Sequence, residues 1–538
     1  MRNQEGRTIF ARRHIANSRK HPATSVIDCP QIMRESNISQ YTRKRVLPWW
    51  LRAFRFQFKS FFFSPDMAQR RFSIVEGALL LTLAILTSRG LGVVRQIIFN
   101  YLFGTGAAAS AYYAAANLPN TLFDLIAGGA LTHAFIPVFF SYEKHKGEYE
   151  AWQLSSLVFN VLLVALTMMI LFGEFIAPAF VNKILVPGYS PAEQALTTSL
   201  VRIMLFQPLI LGAGTVVTAI LNSRRQFLLP ALALAIYNFG LIGGLLVALV
   251  FRTVGIYGPT YGILVAAALQ FAVQVPGLVK QGMRYSFVWN LRDPGLHEIL
   301  RLLIPNALAV GVASIGGLID TSFASYLPDR ASLSALTNAQ MLYALPTALI
   351  GQAVGQALLP HLTLQAVGQR FVRMRQTAIQ IMGAAIVLTI PAALLLTLFG
   401  RFIIRLIFQH GAFNAHSSAL TYLALLGYAV GLPGIASGSL IANGFIAMKD
   451  TRTPLFMNTI ALITRYSVLT LLFHTLSGEW MILAIPLALA ISATVEATLM
   501  LLLLLWHLSK KIPYDRGMQR LLQRRRAQQQ ITTQSVVK

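Results

Sequence analysis

The stretch NLPNTLFDLIAGGALTHAFIP at residues 117–137 decides the fold, because a related stretch, YALPTALIGQAVGQALLP, follows at residues 343–360. In both, a Leu-Pro pair is followed by a glycine close to an Ala-Leu step, and then by an apolar residue and a proline. A second correspondence joins Gly188 in VPGYS to Gly411 in FQHGAF, 223 residues later. These echoes indicate that the chain consists of two related halves.

The composition is typical of a membrane protein. Of the 538 residues, 55% are hydrophobic and only 12% are charged, and the mean hydropathy is +0.60. A soluble protein of this length needs more charge to cover its surface, so we predict a polytopic membrane protein. The one cysteine, Cys29, excludes a disulfide framework and a thiolate metal cluster. The sequence contains no metalloprotease, P-loop or kinase motif, so we predict no enzyme, no metal site and no cofactor.

Twelve apolar segments reach the roughly 20 residues that a helix needs to cross a bilayer. Six fall in each half, and because six is even, both halves start from the same side of the membrane. The repeat is therefore parallel, with an axis along the membrane normal. The predicted fold is all-α, with an N-lobe at 73–290 and a C-lobe at 291–508 around a central cavity, as in alternating-access carriers. The predicted spans are 74–100, 107–140, 153–180, 194–222, 227–251, 255–280, 294–326, 331–365, 372–400, 416–446, 453–476 and 479–508.

Basic residues set the predicted orientation. Residues 1–72 hold fifteen Lys and Arg against four acidic residues, and residues 509–538 hold eight against one. Loops on the same side as the termini carry twelve basic residues and the opposite loops carry five, so we predict that both termini are cytoplasmic. We expect both tails to be largely disordered and to attract anionic lipid rather than nucleic acid. The first tail also has the composition of an organelle transit peptide, and Met67 is an alternative start.

Two arginines interrupt the first predicted span, in SRGLGVVRQIIFN at residues 88–100. An arginine at membrane depth costs several kcal/mol by most scales. Helical spacing separates Arg89 and Arg95 by roughly 240°, but Gly90 and Gly92 weaken the helix, and a bend would aim both side chains at one cavity. There, two guanidinium groups would clamp phosphate oxygens. Alternatively, an arginine near a helix end snorkels to the interface, which fits Arg95 better than Arg89.

A second set of charges lies in the second half. Asp320 in GLIDTSF falls within the seventh span, and an intramembrane carboxylate indicates a functional site with a partner. The candidate partners are Arg465 in ITRYS and Glu496 in ATVEATL. Pairing of Asp320 with the arginine would be structural, whereas a cluster of carboxylates would indicate a proton or sodium site.

Several long segments resemble the MviN/MurJ family of lipid II flippases. SRGLGVVRQIIFNYLFGTGAAASAYYAAANLPNTLFDLIAGGALTHAFIPVFFSY at 88–142 is similar to the family signature, and LIDTSFASYLP, ALPTALIGQAVGQALLPHL, FQHGAF and MKDTRTP are similar to its later landmarks, in the same order. The likeness covers residues 74–508. The family belongs to the multidrug/oligosaccharidyl-lipid/polysaccharide exporter superfamily, whose members have two six-helix lobes. That architecture agrees with the repeat.

The resemblance implies a substrate site on the first two spans. Arg89 and Arg95 fall on the positions that are thought to hold the pyrophosphate of the substrate. We add Asn117, Asn120 and Asp124 of the second span as further predicted substrate-binding residues.

The chain departs from the family pattern at several of these positions. Gln96 stands where an acidic residue is usual, and Phe123 and Met341 stand where two further cavity arginines are usual. Asp320 falls on a position that takes part in a sodium site in some relatives, and Arg465 stands where an asparagine is expected near that site. We therefore hypothesise that the guanidinium replaces a bound cation. Many members also carry two further helices after the twelve seen here.

The leading prediction is a flippase that moves a polyprenyl-pyrophosphate-linked peptidoglycan precursor from the inner to the outer leaflet of the bacterial inner membrane. Membrane potential or an ion gradient would drive it, and its partners would be membrane lipid, the lipid-linked sugar-peptide and cell-wall synthesis machinery. One alternative is a divergent paralogue that transports another lipid-linked glycan or that has lost transport. Another is a non-transporting membrane scaffold, and a third, weakened by the signature of the first two spans, is an ordinary drug exporter.

Overall fold

The computed structural model describes residues 74–126, 130–283, 285–450 and 452–537, so residues 1–72, including Cys29 and Met67, lie outside the described residues. The described residues fold into helices, without a strand among them. The α-helices are α1 (Ile74–Phe103), α2 (Ala107–Ile126), α3 (Ala130–Lys146), α4 (Glu148–Phe180), α5 (Pro191–Met204), α6 (Gln207–Ser223), α7 (Leu228–Val250), α8 (Tyr257–Ala272), α9 (Val275–Lys280), α10 (Pro294–Ala324), α11 (Ser332–Thr347), α12 (Val354–Val367), α13 (Phe371–Phe408), α14 (Ala415–Ala447), α15 (Arg452–Thr475) and α16 (Ala484–Val537). Short π-helical turns follow α4 and α11, and short 3₁₀ turns follow α7 and α15.

The predicted all-α polytopic fold class is confirmed. Each predicted span coincides with one helix or with two consecutive helices, as in α2 with α3, α5 with α6, α8 with α9, and α11 with α12. Within the described residues, nine helical segments are long and apolar enough to cross a membrane. The first, second and eighth predicted spans (α1, α2 with α3, and α11 with α12) are not among the nine. Much of the polar lining of the cavity described below comes from α1, α2 and α11.

The hydrophobic core falls into three clusters, which show how the halves are joined. One cluster, from Leu131 to Leu303, lies in the first half and includes the first turns of α10. A second, from Leu358 to Leu508, lies in the second half. The third contains residues of both halves and gathers at the end opposite the predicted cytoplasmic side. The halves are therefore packed together at that end, which we call the outer end. Helix α10 follows the predicted lobe boundary at residue 290, but its first turns pack against the first half. The position of the boundary therefore stays a prediction.

Two glycines of the repeat close the outer end in a reciprocal way. The Gly188 N–H of the first half donates to Ser325 Oγ at the end of α10, over 2.9 Å. In the second half, the residue after Gly411, Ala412, donates its N–H to the Tyr101 carbonyl at the end of α1, also over 2.9 Å. A Cβ on either glycine would come within 2.5 Å of the facing carbonyl oxygen, and Gly411 also has a positive φ of +60°. We call these contacts the glycine clasps.

The C-terminal residues differ from the expected disordered tail. Helix α16 passes the predicted end of the last span at residue 508 and continues as helix to Val537. The sequence of this extension is rich in glutamine and arginine, which have high helix propensity. The preceding transmembrane turns supply a formed nucleus, so the costly first turn is avoided. The expectation of a largely disordered C-terminal tail, which rested on its basic and polar composition and its weak periodicity, is therefore wrong for the described residues 509–537.

Candidate substrate cavity

A central cavity of about 680 Å³ opens between the two halves. Helices α1, α2 and α7 of the first half and α11 of the second half supply most of its wall. Arg89 and Arg95 both line it, as does Asn120 of α2. Among the described residues of the lining, these two arginines are the ionised groups and none is acidic. The cavity therefore presents positive charge to whatever enters it.

The two arginines reach one cavity without the break that the sequence led us to expect. Helix α1 is continuous from Ile74 to Phe103 across Gly90 and Gly92. Arg89 is exposed and Arg95 is half-buried, and both face the space left by the separated halves. A cavity this wide accepts side chains from a broad arc of one helix, so the large angular separation does not prevent convergence. Water in the cavity also lowers the cost of these charges.

A tight network of amides forms part of the cavity wall. Gln96 Nε2 donates to Asn338 Oδ1 over 2.9 Å and to the Tyr113 hydroxyl over 2.6 Å. Asn100 Nδ2 donates to the same Asn338 Oδ1 over 2.7 Å. The three amide side chains are buried, and Asn338 belongs to the second half. The network therefore links α1 and α2 to α11 between the arginines and the outer end.

Sequence reasoning noted Gln96 only as a departure from the family and missed Asn100 and Asn338. A signal was present, because Gln96 and Asn100 lie four residues apart in a membrane span, on one helical face. A buried amide needs partners in an apolar medium, so such a pair indicates an interhelical contact. Its partner on α11, more than 200 residues away, had no local signal.

The other residues of the first half that were predicted or compared with the family pattern lie partly inside and partly outside the cavity lining. Asn117 lies outside the cavity lining, and its amide donates to the Thr321 hydroxyl of α10. Asp124 is exposed on α2 and also lies outside the lining. Met341 lines the cavity where the resemblance leads one to expect an arginine, whereas Phe123 does not. The structure brings Arg89, Arg95 and Asn120 together in the cavity lining. The substrate-binding role of these three residues, and of Asn117 and Asp124, stays a prediction.

The charges of the second half form an ion pair. Arg465 Nη2 donates to Asp320 Oδ2, and the two side chains are 13% and 16% exposed. Gly316, one turn before Asp320, leaves room for the guanidinium, because a Cβ there would lie 2.7 Å from Arg465 Nη1. Two polar atoms of the pair, Asp320 Oδ1 and Arg465 Nε, are buried without a hydrogen-bond partner in the described structure. The pair is therefore neutral overall but incompletely satisfied.

A second, smaller cavity of about 160 Å³ adjoins this ion pair. It lies between α10, α15 and α16, and its polar lining consists of Asn458, Arg465, Ser492 and Glu496. Ser492 and Glu496 are four residues apart and share one face of α16. The structure thus places Glu496 in a cavity that Arg465, the partner of Asp320, also lines, and the roles of the three residues stay predictions.

Sequence and structure comparisons agree on the family. The family model described as lipid II flippase MurJ matches residues 99–525. A probable lipid II flippase MurJ of Rhizobium meliloti is 29% identical over 451 residues, covering 82% of both chains. A lipid II flippase MurJ of Burkholderia cenocepacia is 30% identical over 378 residues, which are 69% of this chain and 72% of that protein.

Solved structures show the same fold. A lipid II flippase MurJ in an inward closed conformation has a TM-score of 0.68 at 25% identity, covering 79% of this chain and 87% of that one. An inward-facing multidrug resistance MATE family transporter of the MOP superfamily has a TM-score of 0.69 at 13% identity, covering 81% of this chain and 99% of that one. Members of the matched family are flippases rather than enzymes, in agreement with the prediction. This multi-pass membrane protein belongs to the MurJ family of lipid II flippases.

Proposed function

We propose that this protein moves lipid II, a polyprenyl-pyrophosphate-linked peptidoglycan precursor, from the inner to the outer leaflet of the bacterial inner membrane. The observation that supports this most directly is the pair Arg89 and Arg95 in a cavity without an acidic residue among its described lining. Family membership supplies the substrate class, because the similar proteins are named as lipid II flippases.

The chemistry of the cavity suits a pyrophosphate. A guanidinium presents a planar fork of N–H donors that matches two phosphate oxygens, and it stays charged at every relevant pH. A hydrogen bond to a charged group contributes about 1.5–3 kcal/mol, so loss of two arginines at Phe123 and Met341 is a substantial change from the family pattern. Arg89 and Arg95 therefore carry most of the grip on the anion.

The closed outer end supports the direction of loading. The glycine clasps and the amide network hold the halves together there, so the cavity in this conformation is loaded from the opposite end. Basic loops favour the cytoplasm at that opposite end, with both termini on the same side. Transport then requires the clasps to open while the opposite end closes.

The Asp320–Arg465 pair bears on what drives transport. Its guanidinium already neutralises the carboxylate, so Asp320 does not need a sodium ion for charge balance. Sodium-dependent transport that disappears only with Asp320→Asn would contradict this role. Membrane potential remains a driving force, because the loaded cavity carries the negative charge of the substrate.

Complementation tests the proposal directly. Expression in cells depleted of their own lipid II flippase should restore growth, and Arg95→Ala or Arg89→Ala should abolish rescue while the protein still inserts into the membrane. Arg252→Ala is the matched control, because this exposed arginine lies in the turn after α7, outside the cavity. Absence of rescue by a well-inserted wild-type protein would favour a paralogue for another glycan or a scaffold. Equal rescue by all variants would show that the arginines do not hold the substrate.

Proteoliposomes provide the quantitative measurement. Purified protein reconstituted with fluorescent lipid II should bring it to the outer leaflet, where a membrane-impermeant reagent modifies it. Losing one guanidinium should lower the rate about 10-fold or more, from about 1.5–3 kcal/mol per charged hydrogen bond. Met341→Arg, which adds a cation to the lining, should raise the affinity for the substrate. Equal rates for Arg95→Ala and Arg252→Ala would overturn the role of the cavity.

A further inference from the structure

Among the described residues, Glu496 is a second carboxylate within the predicted spans of the second half, and the Asp320–Arg465 pair does not balance its charge. It lies on α16 about 12 residues, or roughly 18 Å, from the start of the helix, and so far from the membrane surface. Its side chain is half-buried and lines the cavity of about 160 Å³. That volume is large enough for several waters, since about 10–15 Å³ admits one. Glu496 therefore has access to water within the membrane.

The charges around Glu496 sum to one excess negative charge. Helices α10, α13 and α14, which also pack against α16, contribute no ionisable residue to the described lining of the small cavity, although Asp320 of α10 lies one turn beyond Gly316. Helix α15 contributes Arg465, whose guanidinium is bonded to Asp320. Helix α16 contributes Glu496 itself. An ionised carboxylate without a balancing charge at this depth is costly, so the site favours the uptake of one positive charge.

The composition of the cavity selects a proton over a metal ion. A sodium or calcium ion needs about six oxygen ligands, whereas the described polar lining offers one carboxylate, one amide and one hydroxyl. Within the described residues, no group of three or more His, Cys, Asp or Glu residues could hold a metal. A proton needs only one carboxylate oxygen.

We propose that Glu496 is a proton-binding site, at which the carboxylate takes up one H⁺ from cavity water and becomes a neutral carboxylic acid. The new O–H donates to an acceptor in the cavity, for which the Ser492 hydroxyl and the Asn458 amide are available. When the proton leaves, the restored carboxylate attracts Arg465, whose Nε is buried without a partner in the described structure. Arg465 is thereby drawn from Asp320 towards Glu496.

The movement of Arg465 from Asp320 towards Glu496 affects the outer end through α10. Asp320 lies four residues before Ala324, where α10 ends, and the next residue, Ser325, forms the clasp with Gly188. Loss of the proton weakens the ion pair between Arg465 and Asp320, and this loosens the end of α10 that forms the clasp. Uptake of the proton restores the ion pair. The proton thus favours the conformation with a closed outer end.

Infrared spectroscopy on the full-length protein in lipid tests binding without any transport. A difference spectrum between alkaline and neutral pH should show the C=O band of a protonated carboxylic acid, and Glu496→Gln should lose it. Glu298→Gln is the matched control, because Glu298 is an exposed residue of α10, and it should keep the band. A band unchanged in Glu496→Gln overturns the proposal. Loss of the band on adding Na⁺ at constant pH also overturns it, because the ligand would then be a metal ion.

A transport measurement follows, and this arm alone rests on the proposed function. The rate of lipid II flipping in proteoliposomes should change with pH for the wild-type protein and for Glu298→Gln, and should not change for Glu496→Gln. An equal pH dependence in all three would overturn coupling through Glu496. If no protein flips lipid II but the infrared band behaves as expected, the proposed substrate is wrong and the proton site stands.

Discussion

A methyl group at Gly316 should break the ion pair of the second half, whereas one at the neighbouring Gly317 should not. A Cβ on Gly316 would lie 2.7 Å from Arg465 Nη1, and ordinary contact begins at about 3.4 Å, so the guanidinium must move by about 0.7 Å. That movement carries it away from Asp320, which already leaves one buried oxygen without a partner. A Cβ on Gly317 meets nothing within 4 Å.

The expected cost follows from the charged hydrogen bond. Weakening it should destabilise the protein by roughly 1.5–3 kcal/mol, and complete separation of a buried pair costs about 3–5 kcal/mol. Both substitutions gain up to about 1 kcal/mol of helix propensity, since alanine replaces glycine in a helix interior. Gly317→Ala therefore measures this gain alone. Gly316→Ala should be less stable than Gly317→Ala by about the cost of the weakened bond.

Thermal unfolding of the purified protein in detergent, followed by tryptophan fluorescence, measures this difference. Gly316→Ala should have the lower Tm, and the difference should vanish in an Arg465→Met background, where no guanidinium meets the new methyl group. Such non-additivity is the signature of two residues in direct contact. Equal Tm values for the two alanine variants in the wild-type background would refute the reasoning. A difference that persists without Arg465 would show that another contact is responsible.

Gly411→Ala should weaken the closed outer end, since the new Cβ would approach the Tyr101 carbonyl and the residue has a positive φ. A cysteine introduced into the cavity should then react faster with an impermeant thiol reagent from outside. Gly243→Ala, where a Cβ meets nothing within 4 Å, should not change that rate. Asn338→Leu should lower the Tm by removing the acceptor of two amide donors, at about 1–3 kcal/mol for each donor left unpaired; an unchanged Tm would show that the network adds nothing. Burial raises the pKa of Asp450, but hydrogen bonds from the Thr453 hydroxyl and nearby backbone N–H groups outweigh it and leave the pKa below its usual range. The stability from Asp450 is therefore present at neutral pH and is lost as the pH falls through the lowered pKa, so the Tm of Asp450→Asn should approach that of the wild type only in acid.

The sequence predicted the membrane spans well because their signal is local. A continuous apolar run of about 20 residues identifies a span without any knowledge of its neighbours. In α1, the two arginines added a second clue, because charged residues within an apolar run indicate a functional site. Hydropathy and intramembrane charge thus gave complementary information about the same helix.

The contacts between distant helices could not be predicted with the same certainty. The pairing of Asp320 with Arg465 was one of two alternatives, because helical periodicity fixes which face a residue occupies but not the partner of that face. Asn117 and Asp124 were grouped with the arginines by position in the chain, although their side chains lie outside the cavity lining. The rotation of α2 within the bundle, which depends on packing against α10, decides this.

The glycine clasps have a consequence for the path of an escaping lipid. They are two separate attachment points, one joining the first half to the end of α10 and the other joining the second half to the end of α1. If one clasp releases before the other, the remaining clasp acts as a hinge. The halves then rotate about this hinge instead of separating evenly. The gap then widens on one side of the molecule, towards the bilayer. A cargo with a long hydrocarbon tail can leave by such an opening without drawing its tail through water.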